Sequence, residues 1–185
     1  NSVIILMFLV FSKNFYTAGI SNYFQFYTIK TFGFTNAEAQ LYLFYYLGAA
    51  AAGTLIGGFF GDRVGRKFII WFSILGAAPF AVWLPYADAK TTAVLVVLIG
   101  FIISSAFASI LVYAQELLPK KIGMISGVFY GFAFGMAGLG SAVLGKLIDM
   151  TSITFVYKVC SFLPLMGLTA YFLPNLRKVK TKLSE

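Results

Sequence analysis

Histidine is absent from this 185-residue chain, cysteine occurs once, and acidic residues number six. The first absence removes every catalytic arrangement that uses imidazole as its base, together with the commonest metal ligand. A single thiol, Cys160, allows neither a disulfide within the chain nor a multi-cysteine metal site. Charge is scarce altogether: 11% of residues are charged against 60% hydrophobic, and the mean hydropathy is +0.88. Soluble domains carry about 25% charged and about 45–50% apolar residues. So few charges cannot clothe a water-facing surface over this much apolar material, so the solvent for most of the chain is lipid. Short alternating polar–apolar segments are missing too, which excludes a β-barrel. Unsatisfied backbone cannot face hydrocarbon, so the apolar runs are helices.

What is present is a series of runs of roughly 20 apolar residues, the length that crosses a bilayer core. Six spans fit, over residues 3–29, 38–60, 68–86, 92–116, 122–147 and 156–173, followed by a basic tail over 174–185. The fold class is therefore all-α and integral to the membrane, with one six-helix bundle over residues 1–173. The net charge of +8 does not indicate nucleic acid, because the basic residues form no continuous face. They sort by side of the membrane instead. Arg63, Arg66, Lys67, Lys120, Lys121 and the tail's Arg177, Lys178, Lys180 and Lys182 fall on one side; Lys30, Lys90, Lys146 and Lys158 fall on the other. The positive-inside rule places the richer side, and with it both termini, in the cytoplasm. Trp71 at one end of the third span and Trp83 with Tyr86 at the other form interfacial anchors. The chain opens on Asn1, which reads as a segment of a longer protein, and its apolar start lacks the basic region and small-residue cleavage site of a signal peptide.

One link stands out: "GGFFGDRVGRKFII", residues 57–70, between the second and third spans. Gly61 and Gly65 permit a tight reversal, Asp62 suits the positive end of a helix, and Arg63, Arg66 and Lys67 hold the link in the cytoplasm. The pattern Gly58-x-x-x-Asp62-Arg63-x-Gly65-Arg66-Lys67 resembles the signature loop of the major facilitator superfamily, where it joins the second and third helices of a six-helix half. "YAQELLPKKIGMISG", Tyr113 to Gly127, is similar to that family's link between the fourth and fifth helices. "SKNFYTAGISNYF", "ILVYAQELLP", "GFAFGMAGLGSAVLG" and "FLPLMGLTAYFLP" resemble more narrowly the C-terminal half of a bacterial drug-efflux branch of the family. The resemblance runs over essentially the whole chain. It implies helices seven to twelve of a twelve-helix transporter with inverted three-helix repeats, a missing N-terminal half as partner, and a central cavity. It also implies proton-driven export of an anionic phosphonate antibiotic by alternating access, no cofactor besides the proton gradient, and a gating part for Asp62 against the missing half. The membrane is then the bacterial inner membrane.

Residues for the cavity come from the first span, which is unusually polar. Asn14, Thr17, Ser21, Gln25 and Thr28 recur at helical spacing, with Lys13 beside the stripe and Tyr16, Tyr23 and Tyr27 on the other side. A charge this deep in a span either faces a cavity or snorkels to the headgroups. In the first case Lys13 attracts an anionic substrate, with Asn14 and Gln25 as hydrogen-bonding neighbours. Tyr45 in the second span and Ser105 and Ser109 in the fourth are further cavity candidates; such hydroxyls also bind helix to helix. Glu116 is the one carboxylate near a span interior and reads as a structural cap or a proton relay. Small residues at period four mark two helix faces, Gly53-Gly57-Gly61 and Gly127-Gly131-Gly135, for close packing or for sliding. Pro79 and Pro164 are placed to kink their helices. An enzyme acting on lipid lacks a catalytic constellation here. An importer of a small anionic or polar nutrient shares the signature loop, and a non-functional remnant shares the spans, so both remain alternatives.

Overall fold

The computed structural model describes residues 2–165. Six helices follow one another: α1 (Ser2–Phe32), α2 (Asn36–Val64), α3 (Arg66–Trp83, continued by a 3₁₀ turn over Leu84–Tyr86), α4 (Ala89–Leu117), α5 (Ile122–Met150) and α6 (Ile153–Cys160). A 3₁₀ turn, Pro119–Lys121, joins α4 to α5. Five of the helices are long and apolar enough to cross a membrane. Of the sixth span, the described part is α6 with the turns to Leu165; the expected remainder to residue 173 and the basic tail lie outside the described residues. No strand occurs among the described residues.

The helices are longer than the hydropathy alone marked, and the links correspondingly short, because chemistry at the ends carries each helix past its apolar run. Thr35 and Glu38 form a reciprocal capping box at the start of α2: the Thr35 hydroxyl accepts from the Glu38 backbone N–H, and the Thr35 N–H donates to Glu38 Oε2 at 2.8 Å. Gly33, at φ +69°, closes α1 with its N–H on the Ile29 carbonyl. The link expected over Gly61 to Lys67 shrinks to Gly65, whose φ of +116° lies where side-chain-bearing residues are strained. Gly61 is buried inside α2, and its share in the reversal is its carbonyl, which accepts the Gly65 N–H at 3.2 Å. Pro79 is accommodated within α3. Pro164 does more than kink. It has no N–H to offer the Cys160 carbonyl, and α-helical geometry ends at Cys160.

Packing follows the small residues. α2 lies along α4 and α5 along α1; α3 packs on α4 and α6 on α1. Exchanging the first three helices for the last three maps each of these pairs onto the other. An odd number of spans per repeat makes the two repeats run in opposite senses, which is the inverted arrangement. In the α2–α4 seam a Cβ on Gly53 would strike the Phe101 backbone, one on Gly57 the Ser105 backbone, and one on Gly61 the Ser109 hydroxyl. Gly100 answers from α4, against the Tyr46 carbonyl. Backbones this close are held by dispersion and by hydroxyls that bond across, as Thr54 does toward the Ser104 carbonyl and Ser73 of α3 toward the Ile102 carbonyl. In the α1–α5 seam Asn22 Nδ2 donates to Ser141 Oγ at 2.8 Å and Tyr23 Oη to the Ser141 carbonyl at 2.7 Å. A Cβ on Gly127, Gly131 or Gly135 would meet nothing within 4 Å among the described residues. Among the described residues the second glycine ridge is therefore an open face of α5, although its spacing is that of the packed one. α1 and α4 are the most enclosed helices, and α2 and α5 turn most of their surface outward. Exposed Leu55, Phe44 and Phe134 show the apolar exterior that lipid requires. Trp71, Trp83 and Tyr86 are exposed at the two ends of α3, as interfacial anchors are.

Candidate functional site

Two groups of polar residues stand out against this apolar background. The first is the α2–α3 corner. Because Gly65 is the whole turn, Asp62 in the last turn of α2 and Arg66 at the first position of α3 are four residues apart and face each other. Arg66 Nη2 lies 2.7 Å from Asp62 Oδ1, and its Nη1 lies 2.6 Å from Glu116 Oε1 near the end of α4. One guanidinium thus ties the ends of three helices, using the fork geometry that suits arginine to two carboxylates. The two arms differ in setting. Glu116 and Arg66 are mostly covered, at 28% and 20% side-chain exposure, whereas Asp62 is 68% exposed. Arg63 places its guanidinium 4.2 Å from the centre of the Phe59 ring. Gly58, half-buried, faces Ala108 of α4, and Lys67 is half-buried in the first turn of α3. Glu116 therefore sits in a helix-end strut. Gln115 beside it donates to Ser126 Oγ of α5 at 2.8 Å, extending the tie to a fourth helix.

The second group is on α1. Lys13 is 6% exposed, on the face of α1 that turns into the bundle. Its Nζ lies 4.7 Å from the centre of the Phe107 ring of α4. It does not snorkel to the surface, and no carboxylate is paired with it among the described residues. Phe107 meets Tyr130 of α5 edge-on at 5.7 Å, and Tyr130 stacks in turn on Phe134 at 6.3 Å. Asn14 and Thr17 bond back to the carbonyls of Val10 and Lys13, so each spends part of its capacity on its own helix. Ser21 and Gln25 are half-buried above them. Thr28 is fully buried and bonds to the Gln25 carbonyl.

The other candidates separate. Ser105 and Ser109 are buried in the α2–α4 seam against Gly57 and Gly61, where they serve packing, and neither lies on an exposed face. Tyr45 is 39% exposed on α2, with its ring 6.1 Å from that of Tyr42. Tyr42 bonds the Ala89 carbonyl and so belongs to the α2–α4 join. Sequence reasoning missed Phe107 and Tyr130, which had no signal beyond being aromatic among 21 phenylalanines and 11 tyrosines. It missed the Arg66–Glu116 tie for a related reason: nothing local connects positions 50 apart. Among the described residues no group of histidine, cysteine or acidic side chains could hold a metal ion.

The chain matches the family model described as Major Facilitator Superfamily over residues 3–185. It is 60% identical over 176 residues to the fosmidomycin resistance protein of Escherichia coli (strain K12), covering 95% of this chain and 43% of that protein. It is 40% identical over 161 residues to YfnC of Bacillus subtilis (strain 168), an uncharacterized MFS-type transporter, covering 87% of this chain and 39% of that protein. A cis,cis-muconate transport protein of Acinetobacter baylyi is 25% identical over 126 residues, 68% of this chain and 30% of that protein. The chain spans less than half the length of these relatives.

Proposed function

The chain belongs to the Major Facilitator Superfamily, and from that premise we propose that it is the C-terminal half of a secondary transporter that exports a small anionic drug of the fosmidomycin kind in exchange for protons. The carrying observation is Lys13: a lysine buried in a membrane helix with no carboxylate paired to it among the described residues. Such a charge is costly in hydrocarbon and is retained where it meets an opposite charge at some stage of a working cycle. Fosmidomycin carries a phosphonate, and 60% identity to a protein named for resistance to it supports a ligand of this class. In this reading Lys13 supplies the charge, and Asn14, Thr17, Ser21 and Gln25 supply hydrogen bonds along the same helix. The proton gradient is the energy source, no cofactor is used, and the missing N-terminal half completes the cavity and contributes the proton-coupling acid. The membrane is the bacterial inner membrane, with the Arg66 end and both termini in the cytoplasm; residues 174–185 form a basic tail there. The protein acts as a carrier and not as an enzyme. The test is drug accumulation in a fosmidomycin-sensitive bacterium expressing the full-length protein. Lower accumulation that an uncoupler abolishes is expected; unchanged accumulation with well-expressed protein sinks the drug assignment.

Import of an anionic nutrient is the second reading, favoured by one observation. The relative named for cis,cis-muconate transport points to a dicarboxylate, which Lys13 would also suit. Uptake of labelled muconate that exceeds the control strain would support it.

The signature corner has two separable parts in this proposal. Glu116 is a strut and Asp62 is the gate residue that meets the other half. Glu116→Gln is expected to lower the stability of the detergent-solubilised transporter by about 1 kcal/mol, because the Arg66–Glu116 pair is mostly covered. Asp62→Asn, at the exposed arm, is expected to cost only about 0.3–0.5 kcal/mol, yet to impair transport several-fold with normal membrane insertion. Thermal melting and export rates measured on both variants check this. Normal transport by Asp62→Asn removes its gating part.

A further inference from the structure

A lysine that is to bind an anion must keep its charge while it waits. A carboxylate partner would stabilise that charge but would compete with every substrate. Phe107 offers a different partner: the negative face of a ring attracts the ammonium without neutralising it. The ring lies 4.7 Å from Lys13 Nζ, and Lys13 is 6% exposed. Tyr130, 40% exposed on α5, holds Phe107 from the outer side by an edge contact at 5.7 Å. The void beside Phe107, bordered by Val10, Ile110, Phe129 and Tyr130, is about 10 Å³. That is about one water and too small for a phosphonate or carboxylate group. Lys13 in this arrangement is held against the ring and closed off.

Resting on the reading of Lys13 as the anion site, we infer that Phe107 is its positioning residue: the ring holds the lysine amine in the empty bundle, and an anion reaches Lys13 by displacing that ring together with Tyr130, which it touches. The cation–π contact is weak enough for a phosphonate or carboxylate to outcompete and strong enough to orient the ammonium meanwhile. Specificity follows. An anion too weakly charged to displace the ring does not engage Lys13, and one with an apolar body can lie against Phe107 and Tyr130 once it has.

The experiment is site-resolved reductive methylation of the full-length transporter in detergent, followed by mass spectrometry, with exposed Lys120 as the internal reference. Lys13 is expected to react at least about tenfold more slowly than Lys120. Phe107→Ala raises the Lys13 rate about tenfold, and Phe107→Trp, which keeps an aromatic face, restores slow reaction. Tyr130→Ala, on the exposed side, gives a smaller increase and stands in if the Phe107 alanine variant is poorly folded. Unchanged Lys13 rates in both folded variants overturn the inference. A separate arm adds fosmidomycin at saturating concentration to the Phe107→Ala protein. Acceleration without protection by the drug leaves the screening by Phe107 intact and removes the anion reading; protection without acceleration does the reverse.

Discussion

In the full-length transporter, Lys13→Ala is expected to raise drug accumulation to that of cells lacking the protein, while Lys13→Arg keeps part of the export. The magnitude follows from the interaction lost. A charge-assisted hydrogen bond to a buried cation contributes about 1.5–3 kcal/mol, and each 1.4 kcal/mol is tenfold, so kcat/KM falls by about one to two orders of magnitude. Arginine keeps the positive charge but is larger and planar, and it cannot take the place of a compact ammonium against Phe107 without repacking. The sign of the accompanying stability change separates this from a folding defect. Lys13 is 6% exposed, with a ring as its partner. Removing a buried cation that has no carboxylate paired to it among the described residues relieves desolvation, which offsets the cost of the vacated volume, so the alanine variant is expected to melt close to the wild type. Lys13→Met fills that volume without the charge and is expected to be at least as stable as wild type and equally dead in transport. Full export by a well-inserted Lys13→Ala protein refutes the role.

Why Lys13 could be noticed in the sequence, and Phe107 could not, is a matter of which information is local. A charge ten residues into an apolar run is anomalous by itself, and so is "GDRVGRK" between two spans; Gly65 at φ +116° shows that the loop's glycine is required by backbone geometry. The spans and the all-α class follow from hydropathy. The partner of a side chain follows from how helices pair, and there the sequence offers only a face. Ser105 and Ser109 share a helical face with each other, but that face is the one Gly57 and Gly61 admit α2 to, so two cavity candidates became packing hydroxyls. Glu116 reads from the sequence as a helix-end cap or a proton relay, and its partner Arg66 is 50 residues away on another helix. Helix ends escaped for a different reason. The capping box at Thr35 and Glu38 was legible as Thr-x-x-Glu, and hydropathy, which sees only apolar runs, passes over it.

The two glycine ridges make this limit testable, because equal spacing has met unequal surroundings. Gly57→Val is expected to cut the folded yield of the transporter sharply and to lower its melting temperature. The added Cβ falls on the Ser105 backbone, which cannot rotate aside as a side chain could. α2 and α4 must separate along a seam in which Gly53, Gly61 and Gly100 are also close-packed. Overpacking of this kind costs about 1–3 kcal/mol and more when backbone must move, which for a chain of this size corresponds to roughly 2–12 °C. Dispersion across small residues is the main force between helices in lipid, and it decays over the fraction of an ångström that the separation requires. A Cβ added at Gly131 on α5 meets no atom of the described residues within 4 Å. Gly131→Val is expected to leave folded yield and melting temperature near those of wild type, and β-branching within an already formed helix costs only a few tenths of a kcal/mol. Size-exclusion profiles and melting curves of the two variants, prepared side by side, decide it. Equal destabilisation by both would mean that the α5 ridge is as closely packed as the α2 ridge, with the covering surface supplied from outside these six helices; tolerance of both would mean that α2 and α4 do not approach as closely as their glycines allow.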